Sequence, residues 1–240
     1  MCGIVGYVGD KQATEFLLEG LSKLEYRGYD SAGIAVYNDG KIRVEKSVGR
    51  LAALRDKIKD NVPQGTTGIG HTRWATHGRP SDANSHPHTD CSGDFVVVHN
   101  GIIENYLTLK EDLIEKGHAF KSETDTEVVA HLLEEIYNGD FVSSVREVLR
   151  RIEGAYSLVF MSSKHPGMLI AAKQDLEGIR RFIGADSLGY LSIEGMFRAV
   201  GDDRRKYCDA CFSGNYRLGQ PSCPMRCGSV RCNQPRSNGR

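Results

Sequence analysis

Met1-Cys2-Gly3-Ile4-Val5-Gly6-Tyr7-Val8 opens the chain, and its reading decides the fold. Ile4–Val8 is a short apolar run and reads as a buried strand starting almost at the terminus. Cys2 sits directly before that strand and directly after the initiator methionine. A small second residue permits Met1 removal, which would leave a thiol and an α-amine on one residue. An α-amine titrates near ~7.7–8.0, so part of it is neutral near neutrality and can take the proton from its own thiol. A cysteine at position 2 is more often an ordinary terminal residue. The weight therefore falls on what the rest of the chain brings to it.

Working outward, Gln12 to Tyr26 carries Phe16, Leu17, Leu21 and Leu24 at helical spacing. Gly33 to Tyr37 and Ile42 to Val48 flank Asn38-Asp39-Gly40, a hairpin signal. Leu51 to Ile58 reads as a short helix. Gly68 to Ala75 and Phe95 to His99 read as strands around a polar, Pro-containing loop. Asn105 to Lys116 is a helix closed by Gly117. Thr124 and Glu127 form a candidate capping box before Val128 to Ile136. Val142 to Ile152 is another helix, and Tyr156 to Met161 and Met168 to Ala172 are strands. Strands, helices, then strands again, with hairpins, favour an α+β fold. Antiparallel sheets packed between helical layers fit better than a parallel sheet. Beyond Gln174, Leu176 to Ile183 and Ile193 to Val200 read as short helices.

With 240 residues the chain holds one large domain, or one domain and an appendage. A net charge of zero gives no sign of a nucleic-acid or membrane partner. From Asp202 onward, eight Lys or Arg against three Asp give +5. That stretch is Cys-, Arg-, Ser-, Pro- and Gly-rich and is expected to be disordered. No apolar run approaches the ~18–20 residues that span a bilayer, and the start lacks a basic leader. A cytoplasmic location is expected. Seven cysteines, an odd number crowded toward the end, argue against a secreted disulfide scaffold.

Three further segments carry chemistry. His71-Thr72-Arg73-Trp74-Ala75-Thr76-His77-Gly78 ends a strand. Its Arg73 can grip a carboxylate with paired hydrogen bonds or pair with a structural acid. In Val98-His99-Asn100-Gly101-Ile102, the Asn side-chain amide and the next N–H can converge as an oxyanion hole, or the Asn-Gly can be a plain turn. In Ser122-Glu123-Thr124-Asp125-Thr126-Glu127, Asp125 can accept bonds from an ammonium, or the segment can only cap a helix. His86-Pro87-His88 with Cys91 raises a metal site, against which a loop role weighs more heavily.

Together these segments resemble the class II (N-terminal nucleophile) glutamine amidotransferases. Leu24-Glu25-Tyr26-Arg27-Gly28-Tyr29-Asp30-Ser31-Ala32-Gly33 and His99-Asn100-Gly101-Ile102-Ile103-Glu104-Asn105 narrow the likeness. They resemble the glutaminase domain of the glucosamine-6-phosphate synthases, over residues 1–172. The resemblance implies an N-terminal-nucleophile hydrolase fold, a four-layer αββα sandwich. It implies hydrolysis of the L-glutamine side-chain amide, with Cys2 as nucleophile and its own amine as base. Asn100 and the Gly101 N–H would form the oxyanion hole. Arg73, with Thr76 and His77, would hold the substrate carboxylate. Asp125, with the Gly101 carbonyl, would hold its ammonium. Arg27 and Gly28 would shape the loop around the nucleophile. No cofactor is implied, and the parent family suggests a homodimer.

After Ala172 that pattern stops, so the sandwich is expected to be incomplete, without acceptor domains. Residues 175–216, among them Tyr207-Cys208-Asp209-Ala210-Cys211, resemble instead the C-terminus of the amidophosphoribosyltransferases. In some of these a Cys-x-x-Cys holds half of an iron–sulfur cluster. Cys208 and Cys211 are thus weak metal candidates, with Cys223, Cys227 and Cys232 nearby. The expected organisation is a glutaminase domain over 1–172, a short helical segment over 173–201 and a basic Cys-rich tail over 202–240. An amidophosphoribosyltransferase-type glutaminase and a Cys-rich metal-binding or interaction module are the competing readings.

Overall fold

A computed structural model describes residues 2–25, 29–74 and 78–174, together with the backbone of residues 197–199. Strand β1 (Gly3–Val8) begins one residue after Cys2 and leads into helix α1 (Ala13–Leu24). Strands β2 (Ser31–Asn38) and β3 (Lys41–Val48) form the hairpin expected from Asn38-Asp39-Gly40. Asp39 and Gly40 both take positive φ, 47° and 80°, which matches the turn to the right-handed twist of the strands it joins. Helix α2 (Leu51–Ile58) and strand β4 (Thr67–Arg73) follow. β1, β4, β2 and β3 lie in that order in one antiparallel sheet.

The second sheet holds β5 (His88–Thr89), β6 (Phe95–Gly101), β7 (Tyr156–Ser162) and β8 (Leu169–Gln174). Helices α3 (Tyr106–Glu115), α4 (Glu127–Ile136) and α5 (Phe141–Arg151) come between β6 and β7. Asp140 caps α5 by accepting from the Val142 and Ser143 N–H groups.

Apolar side chains sort into three layers. Leu17, Leu21, Leu51 and Leu54 pack α1 and α2 on the first sheet with Ile34 and Val36. Val129, Leu133, Val145 and Val148 pack α4 and α5 on the second sheet with Phe95, Leu158 and Phe160. Ile4, Ala35, Ile69, Val96, Val98, Val159 and Met161 fill the space between the sheets. This is the αββα sandwich. Because strand side chains alternate in direction, both sheets bury both faces, which explains why β4 and β7 are buried throughout.

Two expectations are corrected. Thr124 and Glu127 do not form a capping box: the Glu127 carboxylate accepts from the Lys121 and Ser122 N–H groups, at 2.8 and 2.7 Å, and from the Ser122 hydroxyl. It binds the loop before the helix rather than the Thr124 amide. Second, residues 197–199, inside the Ile193–Val200 run read as a short helix, form strand β9 (Phe197–Ala199). The expected antiparallel sheets are present, and β9 adds to the edge of the second one, parallel to β8; the pairing occupies backbone groups that an edge strand leaves open. Leu176 to Ile183 and the remainder of the segment from 175 onward lie outside the described residues. No helix among the described residues is long and apolar enough to cross a membrane.

Candidate active site

The inter-sheet layer changes character at one end. Along β4, Ile69 faces the apolar layer, and by the two-residue period His71 and Arg73 share its side. Along β6, Val96 and Val98 are followed on the same side by Asn100. Ile4 of β1 is preceded by Cys2. Three apolar rows thus end in a thiol, an imidazole with a guanidinium, and an amide. A cavity of about 50 Å³ opens there, lined by Cys2, His71, Arg73, Asn100, Gly101 and Asp125 among others.

Cys2 Sγ accepts from the Trp74 N–H at 3.1 Å and lies 3.6 Å from the Trp74 carbonyl. Burial pushes the Cys2 thiol up, against the lowering effect of the Trp74 N–H. The Asn100 amide nitrogen reaches the Cys2 carbonyl at 3.4 Å, and its carbonyl oxygen meets His71 Nε2 at 2.8 Å. Burial pushes His71 down to about 3. The ring is therefore neutral, and it donates from Nε2 to the Asn100 oxygen. That single bond fixes which way the amide points: oxygen toward His71, NH₂ toward Cys2. His86 stacks on His71 with ring centres 4.3 Å apart, and His86 Nδ1 accepts from the His99 N–H at 3.2 Å. Burial holds His86 and His88 well below the ordinary imidazole value.

Arg73, buried at the strand end, donates to the Gly78 carbonyl at 3.1 Å and lies 3.7 Å from the Asp30 carboxylate. The structural-acid alternative is thus present in fact, alongside a position on the cavity wall. Asp125 accepts from the Ile103 N–H at 2.8 Å, and its other oxygen lies 3.4 Å from the Thr126 hydroxyl. Gly101 has φ +127°, and a Cβ there would lie 2.1 Å from the Ala155 carbonyl oxygen. A side chain is excluded, so the strand can pass close to the start of β7 where it borders the cavity.

Cys2, Arg73, Asn100, Gly101 and Asp125 are therefore brought together. Thr76, His77, Arg27 and Gly28 lie outside the described residues, as do Cys208 and Cys211. His86 and His88 do not group with Cys91 as metal ligands. They join the buried imidazole cluster, with Thr124 Oγ1 3.1 Å from His88 Nε2. Sequence reasoning gave no role to His71, although the alternation Ile69, His71, Arg73 places it beside Arg73. Thr126 was likewise passed over; it meets His99 Nδ1 at 2.9 Å on the cavity wall.

Residues 71–189 match the family described as "Glutamine amidotransferase domain". The chain is 62% identical over 175 residues to glutamine–fructose-6-phosphate aminotransferase (isomerizing) of Caldanaerobacter subterraneus, covering 73% of this chain and 29% of that one. It is 52% identical over 177 residues to the protein of the same name from Pyrococcus horikoshii, covering 73% and 30%. The chain thus spans about three-tenths of the length of these curated relatives. Among solved structures it resembles the glutamine phosphoribosylpyrophosphate amidotransferase of B. subtilis, with a TM-score of 0.59 and 28% identity, covering 68% of this chain and 35% of that one.

The chain carries a glutamine amidotransferase domain with the N-terminal-nucleophile hydrolase fold. It is homologous to the glutaminase domain of glucosamine-6-phosphate synthase.

Proposed function

We propose that the chain hydrolyses the side-chain amide of L-glutamine to glutamate and ammonia, with Cys2 as the nucleophile. The observation that carries this reading is the contact between Cys2 and Asn100. The Asn100 amide, held in a fixed direction, reaches the backbone carbonyl of Cys2 at 3.4 Å from 98 positions away in sequence, which sets a donor beside the residue that carries the thiol. Burial raises the thiol, so a base is required, and the α-amine freed by loss of Met1 would supply it on the same residue.

The thiolate attacks the amide carbon, and negative charge moves onto the amide oxygen. The Asn100 NH₂ and the Gly101 N–H stabilise that charge; one such donor is typically worth about 2.7–4 kcal/mol. The tetrahedral intermediate collapses, the amide nitrogen takes a proton and leaves as ammonia, and a thioester remains. Water then attacks the thioester through the same oxyanion position and releases glutamate. Arg73, with Thr76 and His77, holds the substrate carboxylate, and Asp125 with the Gly101 carbonyl holds its ammonium. By the family resemblance Arg27 and Gly28, outside the described residues, are assigned to shaping the nucleophile's surroundings. Binding both charged ends fixes the amide against the thiol and rejects amides lacking them.

The names of the relatives suggest that the ammonia serves amination of fructose 6-phosphate; the cytoplasmic location and the homodimer in this proposal rest on the family resemblance alone. The 52–62% identity to those relatives, against 28% to the phosphoribosylpyrophosphate enzyme, favours this destination. The test is glutamate release by the purified chain, measured with L-glutamine and with glutaramide, which lacks both charged groups. Turnover of glutamine alone supports the reading; equal turnover of the two, or of neither, contradicts it.

A further inference from the structure

Four metal-ligating side chains converge on helix α4, and none of them lines the cavity described above. Cys91 comes from the loop between β5 and β6, His118 from the segment after α3, and His131 and Glu134 from α4 itself. One ligand atom from each lies within 4.8 Å of all the others. Cys91 Sγ is 3.8 Å from His118 Nδ1 and 3.5 Å from His131 Nδ1. Glu134 Oε2 is 3.2 Å from His118 Nδ1 and 3.7 Å from His131 Nδ1. Ligands about 2.0–2.3 Å from a tetrahedral metal are separated by roughly 3.3–3.8 Å. The four measured separations fall close to that range.

The surroundings point the same way. Both imidazoles turn Nδ1 to the common centre and Nε2 to a carboxylate: His131 to Glu127 at 3.5 Å, His118 to Glu135 at 3.4 Å. Outer carboxylates in this position fix the tautomer and raise the basicity of a ligating ring. The Cys91 and Ser92 N–H groups hold the Glu134 carboxylate, at 3.1 and 3.3 Å, and the Ala119 N–H donates to Cys91 Sγ at 3.4 Å. A thiolate and a carboxylate together balance a divalent charge, with both imidazoles neutral.

We propose that Cys91, His118, His131 and Glu134 form a zinc site. Thiolate with imidazole selects zinc over calcium or magnesium. Four protein ligands leave no position for a reacting water, so the role is structural. The Cys91 thiol gives up its proton as the metal binds. The ion ties the β5–β6 loop and the segment after α3 to the helix that follows Asp125. The proposal does not depend on the function assigned to the cavity.

The experiment uses the full chain, purified under reducing conditions, loaded with zinc or cobalt(II), and freed of excess. It is compared with Cys91→Ser, with His118→Ala and with a chain carrying Cys208→Ser and Cys211→Ser. The expected result is a zinc ion lost in the first two variants and kept in the third. The cobalt form should show a thiolate-to-cobalt charge-transfer band and tetrahedral d–d bands that Cys91→Ser abolishes. His118→Cys, which restores a ligand in place, should keep the metal and guards against loss by misfolding. Unchanged zinc in Cys91→Ser and His118→Ala, or a parent chain that takes up neither metal, overturns the proposal. Loss of zinc from His118→Cys in a folded chain does the same.

Discussion

Replacing His71 by Leu tests how the Asn100 amide is aimed. In the folded chain the buried, neutral His71 ring donates to Oδ1 of the part-buried Asn100 at 2.8 Å. Without that donor, a part-buried amide oxygen loses its partner, at a cost toward the lower end of about 1–3 kcal/mol. The amide then has less reason to keep its NH₂ turned to Cys2. The penalty appears in catalysis as far as it is relieved by rotation of the amide, and its ceiling is the worth of the whole donor, about 2.7–4 kcal/mol. We expect kcat for glutamate release to fall about tenfold to a hundredfold in His71→Leu and about 10²–10³-fold in Asn100→Ala. KM should change little, since neither residue holds the ends of the substrate. The double variant should be no slower than Asn100→Ala alone, because His71 acts through Asn100. Steady-state glutamate release by the three variants, each checked for folding by its melting curve, measures this. Independent, additive losses, or a rise in KM with kcat unchanged, would refute the reasoning.

Arg73→Lys removes the paired donors and should raise KM for glutamine tenfold or more while kcat falls less, as read from initial rates across glutamine concentration. Gly101→Ala places a Cβ against the Ala155 carbonyl at a positive φ. Overpacking and backbone strain each cost about 1–3 kcal/mol, so the melting temperature should fall clearly; an unchanged value would contradict the close approach. Stability should also fall in acid. His71 titrates near 6.5 when unfolded and near 3 when folded, so the unfolded chain binds the extra proton between those values. Stability from this group is complete above about pH 6.5 and is lost as pH drops toward 3, by up to about 1.4 kcal/mol per pH unit. Urea titrations between about pH 7.5 and 5 should show a shallower slope in His71→Leu, with His86 and His88 leaving a remainder of the same sign; an equal slope would contradict the buried neutral ring.

Periodicity made most of this fold legible. Leu51 to Ile58 is the observed α2, and Asn38-Asp39-Gly40 gave the β2–β3 turn. Elements whose form depends on distant partners were not legible. β5 spans two residues, too few for an alternation, and exists through its pairing with Val96 and Val97. β9 likewise rests on its pairing with β8. Glu127 has the spacing of a capping residue but is drawn to Ser122 and His131 instead. The motif residues Cys2, Arg73, Asn100 and Asp125 could be picked out because each stands in a distinctive short segment. The orienting role of His71 could not, because it depends on which strand lies beside β4. The cluster at Cys91 was hidden for the same reason: its ligands come from separate segments, with only the His131 and Glu134 spacing visible locally.

The reading of the cavity as a glutaminase site rests on Cys2 as an N-terminal nucleophile. Intact mass of the purified chain, combined with glutamate release by it and by Cys2→Ala, tests that claim most directly. The account predicts a parent chain lacking Met1 that releases glutamate and a Cys2→Ala chain that is folded and inactive. A parent chain that hydrolyses glutamine with Met1 still attached, or equal glutamate release by both chains, would contradict it.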